Sequence, residues 1–379
     1  MKNFKAGQYQ NQGSYKSFQP NFINRQWFLE DMDIIMLLSK ASMELGKLDM
    51  YSEHVPDIDL FISMHVRKEA SQSSKIEGTQ TNIEDVILDV EDVSADKKDD
   101  WEEVHNYIDA MNESIEQLKT LPFSIRLIKQ AHKRLLQGVR GKNKLPGEFR
   151  SSQNWIGGVS INDAVFVPPI QATVQELMGD LEKFVHNEEF QFPELLKIAL
   201  VHYQFETIHP FLDGNGRVGR LLIVLYLVEK KMLKNPILYL SDFFERNRQL
   251  YYDNLMNVRT KNDIKQWFKF FLTGIIETAQ NGVKTFDAVL KLKQDTEIKI
   301  QTNHARSRHL LKIMEYLYKE PIIKPHTVVE ITKVSIPTAY TLLDEMEKMG
   351  ILKGVKMAKT GKKGNIGKMY VFQEYIKLF

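Results

Sequence analysis

Residues 209–220, His-Pro-Phe-Leu-Asp-Gly-Asn-Gly-Arg-Val-Gly-Arg, restrict what this chain can become more than any other stretch. The apolar run 221–228 behind them calls for a helix, and the glycines at 214 and 216 place its start at about Asn215. A helix that opens in a glycine turn points its unpaired N–H groups and its positive end at one spot, which is an anion site. Arg217 and Arg220 are three apart, so both guanidinium groups fall on one face of the first turn and can clamp a polyphosphate. Asp213 offers a hard oxygen for Mg²⁺, an ion that shares its coordination between a carboxylate, phosphates and water. His209, one short loop away, can take a proton from an attacking hydroxyl as a neutral imidazole. A lone Gly-x-Gly or a lone pair of arginines carries no such meaning; all of them within one run do.

The chain has 379 residues, more than one ordinary core needs, so two or three domains are expected. Hydrophobic residues at 43% and charged residues at 26% fit a soluble globular protein, and the net charge of +2 argues against a general nucleic-acid binder. The absence of cysteine excludes disulfides, thiolate metal sites and a cysteine nucleophile. Residues 1–26 are polar and rich in Asn and Gln, with no apolar leader, and no later run reaches membrane-spanning length. The expectation is a cytoplasmic protein without membrane contact.

Helical periodicity is expected over 24–47, carried by Trp27, Phe28, Met32, Ile35, Met36, Leu38 and Leu45, and again over 58–74. Acids dominate 84–103, which reads as a solvated connector. Further helices are expected at 101–118, 124–136, 174–186, 194–208, 215–232, 248–257 and 263–279. Between them, residues 154–169 read as a β-hairpin, with Trp155, Ile156, Gly157 and Gly158 facing Val165, Phe166 and Val167 across a turn at Asn162-Asp163. From about 304 the pattern changes to helices at 309–318, 325–332 and 336–349, then strands at 353–356 and 368–372 around a turn at 361–367, the order of a winged helix. Its helix 336–349 carries Asp344, Glu345 and Glu347 against Lys348, a poor face for phosphates, while the lysines 353, 356, 359, 362, 363 and 368 make the wing basic. DNA binding is therefore weakly supported. The fold class is mainly α, divided as 1–95, an N-terminal helical region; 96–285, a catalytic core; and 300–379, a winged-helix domain.

The run 209–220 resembles, at every position, the signature of the Fic (Fic/Doc) family, His-Pro-Phe-x-Asp/Glu-Gly-Asn-Gly-Arg-x-x-Arg. The resemblance spans about 27–279. It implies a Fic-type helical bundle with a β-hairpin flap, and a protein adenylyltransferase that moves AMP from ATP onto a Ser, Thr or Tyr hydroxyl of a protein, itself included. In that reading His209 is catalytic, Asp213 holds Mg²⁺, and Gly214, Asn215, Gly216, Arg217 and Arg220 bind the nucleotide, Arg220 at its terminal phosphate. Trp155, Ile156, Gly157, Gly158, Val165, Phe166 and Val167 form the flap, whose open strand edge suits an extended peptide.

Far upstream, Ser73-Ser74-Lys75-Ile76-Glu77-Gly78 sits at a helix end where Gly78 can serve as a left-handed stop. It resembles the family's inhibitory motif, Ser/Thr-x-x-x-Glu-Gly/Asn. That implies an N-terminally inhibited member in which Ser73, Glu77 and Gly78 form a brake and Glu77 occupies Arg220. Relatives with a lysine at the second cradle glycine are kinases, and Gly216 argues against that. A de-AMPylating or bifunctional enzyme, and a winged-helix regulator with a nucleotide-sensing core, are the alternatives. A homodimer is compatible with the sequence.

Overall fold

The computed structural model describes residues 4–54, 58–138, 143–303, 306–356 and 368–379. In chain order the elements are β1 (Gly7–Asn11), β2 (Lys16–Pro20), α1 (Met32–His54), α2 (Ile58–Ile76), α3 (Ile83–Val86), α4 (Lys98–Gln117), α5 (Ile125–Leu135), α6 (Gln171–His186), α7 (Glu194–Ile208), α8 (Asn215–Glu229), α9 (Ser241–Arg246), α10 (Arg248–Lys261), α11 (Ile264–Asn303), α12 (Ser307–Lys319), β3 (Ile322–Ile323), α13 (Pro325–Thr332), α14 (Ile336–Lys348), β4 (Lys353–Lys356), β5 (Lys368–Val371) and α15 (Gln373–Ile376). The chain is mainly helical. Among the described residues no helix is long and apolar enough to cross a membrane.

Helices α7 and α8 lie at the centre. Every residue of α7 from Leu195 to Ile208 is buried, as is nearly all of α8, so apolar side chains occur all round both helices and their few charged ones, Glu206, Arg217 and Arg220 among them, are buried too. Capping explains several boundaries: Ser124 accepts from the Leu127 N–H at the start of α5, and Asn82 with Asp85 forms a capping box on α3. Ser335 caps α14, which carries a proline in its first turn.

Several expectations change. The first helix begins at Met32, not 24, and it turns Ile34, Ala41, Leu45 and Leu48 inward while Phe28, Met32, Ile35 and Met36 face water. The polar N-terminal stretch is not featureless: β1 and β2 pair antiparallel, Gly7 opposite Pro20, and bury Phe18. The acidic stretch is no bare connector, because Asp85 pairs with Lys97 at 2.8 Å, and Asp89 and Asp92 grip Lys324 at 2.6 and 2.8 Å. It docks the C-terminal unit. The helix expected to end at 279 continues unbroken as α11 to Asn303, so the interval between the expected core and C-terminal domain is helical.

In the C-terminal unit α12, α13 and α14 surround a three-stranded antiparallel sheet of order β3-β5-β4. The winged-helix reading rests on that order; the wing turn 361–367 and the lysines 359, 362 and 363 lie outside the described residues. The acids of α14 are largely spent inside the unit: Asp344 accepts from the Tyr370 hydroxyl and Glu347 pairs with Lys368.

Candidate active site

The site is built where α7 ends and α8 begins. His209 is the cap residue of α7 and adopts a left-handed conformation, φ 49°, uncommon for a residue with a Cβ. Buried Arg150 holds that loop in place: its Nε donates to the His209 carbonyl at 2.9 Å, and its other nitrogens reach the carbonyls of Ser152, Pro169 and Ile208. Asn154 adds a bond to the Phe211 carbonyl at 2.9 Å. Neither residue stands out in the sequence, since an arginine that satisfies backbone carbonyls leaves no spacing signal.

Gly214 takes φ 74° as the cap of α8, so the turn requires glycine there. Gly216 is already helical. Its need is space, because a Cβ there would strike the Glu77 carboxylate. Asp213 Oδ1 accepts from the Gly214 N–H at 2.6 Å, and Arg217 stands 3.6 Å from it. Arg217 also pairs with Glu103 of α4 at 3.2 Å. The Asn215 side chain is consumed locally: its Oδ1 accepts from the Phe211 N–H and its Nδ2 donates to the Phe211 carbonyl, both at 2.8 Å. It braces the loop, and the phosphate contact implied by the resemblance is not prepared in this arrangement.

A histidine that sequence reading missed supports the turn from behind. His132 stacks on Phe211 at 3.7 Å, donates from Nε2 to the Asp213 carbonyl and accepts the Gly147 N–H at Nδ1. Burial lowers its pKa to about 4, keeping it neutral.

The predicted brake residues converge on Arg220. Its Nε donates to Ser73 Oγ at 2.9 Å, and its Nη2 donates to the Ser73 carbonyl at 2.8 Å and to Glu77 Oε1 at 2.7 Å. Gly78, φ 107°, turns the chain away immediately after. Glu77 lies low in a bowl of protein yet keeps 36% of its side chain open to water on one side. Burial alone would raise its pKa, but Arg220, with Arg217 behind it, outweighs that and holds it below the usual carboxylate range. Burial likewise opposes the charge of Arg220, and Glu77 more than restores it. Glu69, one helical turn N-terminal of Ser73, anchors α2 by accepting from the Tyr107 and Ser241 hydroxyls. The middle of α2 meets the C-terminal unit, where Arg67 pairs with Glu320 at 2.6 Å.

Residues 154–169 form less of a hairpin than expected. A single antiparallel bridge joins Ile156 and Phe166, and a 3₁₀ turn over Ile161–Asp163, capped by Ser160, replaces the β-turn. Gly157 and Gly158 take φ 69° and 75°, which twists the outgoing arm. Trp155 and Val165 are exposed, while Phe166 and Val167 are buried at the root. There the Phe18 N–H of β2 donates to the Val167 carbonyl at 2.9 Å, and Arg259 lies 3.9 Å over the Phe166 ring. The N-terminal hairpin thus braces the flap from below.

The imidazole of His209 has its pKa lowered to about 3, first by burial and then by the nearby Arg259 charge, so it is a neutral base at physiological pH. His65 and His202 are also buried and lowered to about 3, and His132 to about 4. The unfolded chain binds protons on all four near pH 6.5 and the folded chain does not, so stability falls as pH drops below 6.5. Each contributes about 2 kcal/mol of loss at pH 5. Glu206, raised to about 7 by burial, works in the opposite sense and offsets roughly one of the four. Thermal melting at pH 7 and pH 5 should therefore show a drop of several degrees; an equal or higher melting point at pH 5 contradicts the burial of neutral histidines.

Known proteins resemble this chain in sequence and in fold. Residues 35–116 match the Fic/DOC family N-terminal model and residues 122–227 the Fic/DOC family model. The protein adenylyltransferase Fic of Aedes aegypti is 34% identical over 125 residues, 33% of this chain and 22% of that protein. A probable protein adenylyltransferase of Aquifex aeolicus is 28% identical over 166 residues, 42% of this chain and 48% of that protein. The chain thus matches between about a fifth and a half of the length of these relatives. Among solved structures, a Fic family protein from Desulfovibrio desulfuricans covers 92% of this chain and 98% of its own at TM-score 0.58 and 19% identity. A Fic domain containing signaling protein from Bacteroides thetaiotaomicron covers 66% of this chain at TM-score 0.53 and 18% identity. At these identities the likeness is one of fold.

Proposed function

We propose, from the premise that this chain belongs to the Fic/DOC family, that it is an autoinhibited protein adenylyltransferase. The observation that carries the proposal is the convergence of a neutral buried imidazole, an open glycine-turn helix start and a carboxylate-blocked arginine on one point. The target hydroxyl oxygen attacks the α-phosphorus of ATP, the bond to the β-phosphate oxygen breaks, and pyrophosphate leaves. His209 accepts the hydroxyl proton. The α8 N–H groups and the two arginines of its first turns receive the charge that develops on the phosphoryl oxygens. The flap presents Trp155, Val165 and its open backbone edge to an extended protein segment.

Among the described residues no group of three or more His, Cys, Asp or Glu side chains gathers as a metal cage. A single carboxylate at the opening of α8 suits Mg²⁺, which arrives with phosphates and keeps most of its waters. Asp213 would hold it. The ion would neutralise charge between the α- and β-phosphates. Asp213→Ala is expected to lower transfer at least tenfold and to flatten its response to added Mg²⁺. An unchanged Mg²⁺ titration would remove Asp213 from this role.

The test of the reaction class uses ATP labelled with ³²P at the α or the γ position, incubated in parallel with the protein and a lysate. Covalent label from the α position alone is expected. Label from γ alone means kinase activity and ends the proposal. A second reading, removal of AMP from a modified protein, is favoured by one feature: Glu77 is partly wetted and beside His209, where a carboxylate can orient a water.

A further inference from the structure

Helix α1 has two apolar faces, and the fold uses only one. Ile34, Ala41, Leu45 and Leu48 point into the core and are almost fully buried. On the opposite side Met32 and Met36 are 67% exposed, Met43 52% and Met50 50%. Ser39 and Gly46 complete this outer face and are also exposed. Positions 32, 36, 39, 43, 46 and 50 alternate steps of four and three residues, which is the seam of a two-helix coiled coil. A contiguous apolar stripe of this kind on a soluble protein marks an interface.

The stripe also says what covers it. From Met36 onward large and small side chains alternate: Met36, Ser39, Met43, Gly46, Met50. Nothing within this chain calls for glycine at 46, since a Cβ there would meet no atom within 4 Å and its backbone is ordinary helix. Glycine inside a helix costs about 0.5–1 kcal/mol relative to alanine, so the missing side chain needs a reason outside the chain.

A second copy laid antiparallel supplies it. About a two-fold axis, the seam layers pair Met36 with Gly46, Ser39 with Met43, and Met32 with Met50 of the other copy, large against small through the middle. At the flanks Asp33 of each copy falls near Lys47 of the other; both already pair within the chain, Asp33 with Lys269 at 2.7 Å and Lys47 with Glu44 at 3.0 Å, so the flanks add no repulsion and the seam rests on the large-against-small packing. Lys40 meets its own copy close to the axis, where it stays hydrated. A parallel pairing would set Met on Met and Gly on Gly, leaving alternate bulges and holes. We propose that the outer face of α1 is a self-association surface that docks antiparallel on α1 of a second copy of this chain. The proposal is independent of the catalytic reading.

The test is the molar mass of the full chain in solution by light scattering after size-exclusion chromatography, over micromolar concentrations. Wild type is expected to reach twice the 44.2 kDa of one chain at the upper end. Gly46→Leu fills the hole and Met43→Lys sets like charges near the axis; each should return the mass to one chain with circular dichroism unchanged and the monomer melting no lower, and Gly46→Leu melting slightly higher because it removes a helix glycine. Because the chain holds no cysteine, orientation can be read by cross-linking. The double variant Met36→Cys, Gly46→Cys should form covalent dimers under mild oxidation, since within one helix these positions are ~15 Å apart and cannot bridge. Met36→Cys alone should cross-link at least tenfold more slowly. A monomeric wild type at all concentrations, a dimer untouched by both substitutions, or equal cross-linking by Met36→Cys alone would each overturn the proposal.

Discussion

Glu77→Gly is expected to transfer AMP on the order of 10- to 100-fold faster than the unaltered chain, onto itself as well as onto its target. On the proposed reading, the charge-assisted bond from Arg220 to Glu77, at 2.7 Å, is the contact that would compete with the terminal phosphate of ATP. Bonds of this kind contribute about 1.5–3 kcal/mol, which converts to that range of rate. Removing Glu77 leaves Arg220 hydrogen-bonded to the Ser73 hydroxyl and carbonyl, with Glu206 as its nearby carboxyl, so the variant should be less stable by about 1–2 kcal/mol, discounted because Glu77 is 36% exposed. Activity and melting must be read separately. Time courses of α-label incorporation, and of label loss from purified modified target, distinguish the outcomes. An unchanged forward rate ends the brake hypothesis; unchanged forward rate with slower label loss assigns Glu77 to removal of AMP instead.

His209→Ala should abolish transfer, by 10²-fold or more, and leave ATP affinity within a few-fold. The imidazole is neutral, and the loop that carries it is held by Arg150 and Asn154 through backbone carbonyls, so its loss leaves the phosphate cradle standing. Single-turnover transfer and equilibrium ATP binding measure the two quantities. Turnover within a few-fold of wild type would show that another base serves. A parallel loss of ATP binding would show that His209 shapes the cradle and not only the proton path.

The local chemistry was legible in the sequence because it is written in contiguous residues. A glycine turn, a following apolar helix and charges at fixed offsets within one run leave little freedom, and α8 indeed starts at Asn215 with Gly214 in the left-handed region. The brake motif was readable for the same reason, as a helix end with a glycine stop. Its pairing with Arg220 spans 143 positions of chain and came from resemblance, since no local rule connects them. The hairpin at 154–169 was legible as alternation, but Gly157, Gly158 and the Ser160 cap reduce it to one bridge, because side-chain turn chemistry overrode strand pairing there.

What the sequence determined by itself, then, is the glycine turn that opens α8, the placing of His209 and Asp213 beside that turn, and the mainly helical class. Tertiary structure alone decided which face of an apolar helix meets water. The methionines of α1 belong to the same periodic pattern as Ile34 and Leu45, and only the packing against α11 chose between the two sides. It alone decided, too, that Asn215 braces a loop, that Arg150 and His132 secure the catalytic turn, and that the acidic stretch 84–103 grips Lys324. Partners such as these are distant in sequence, and their cost or benefit exists only once burial has removed water from between them.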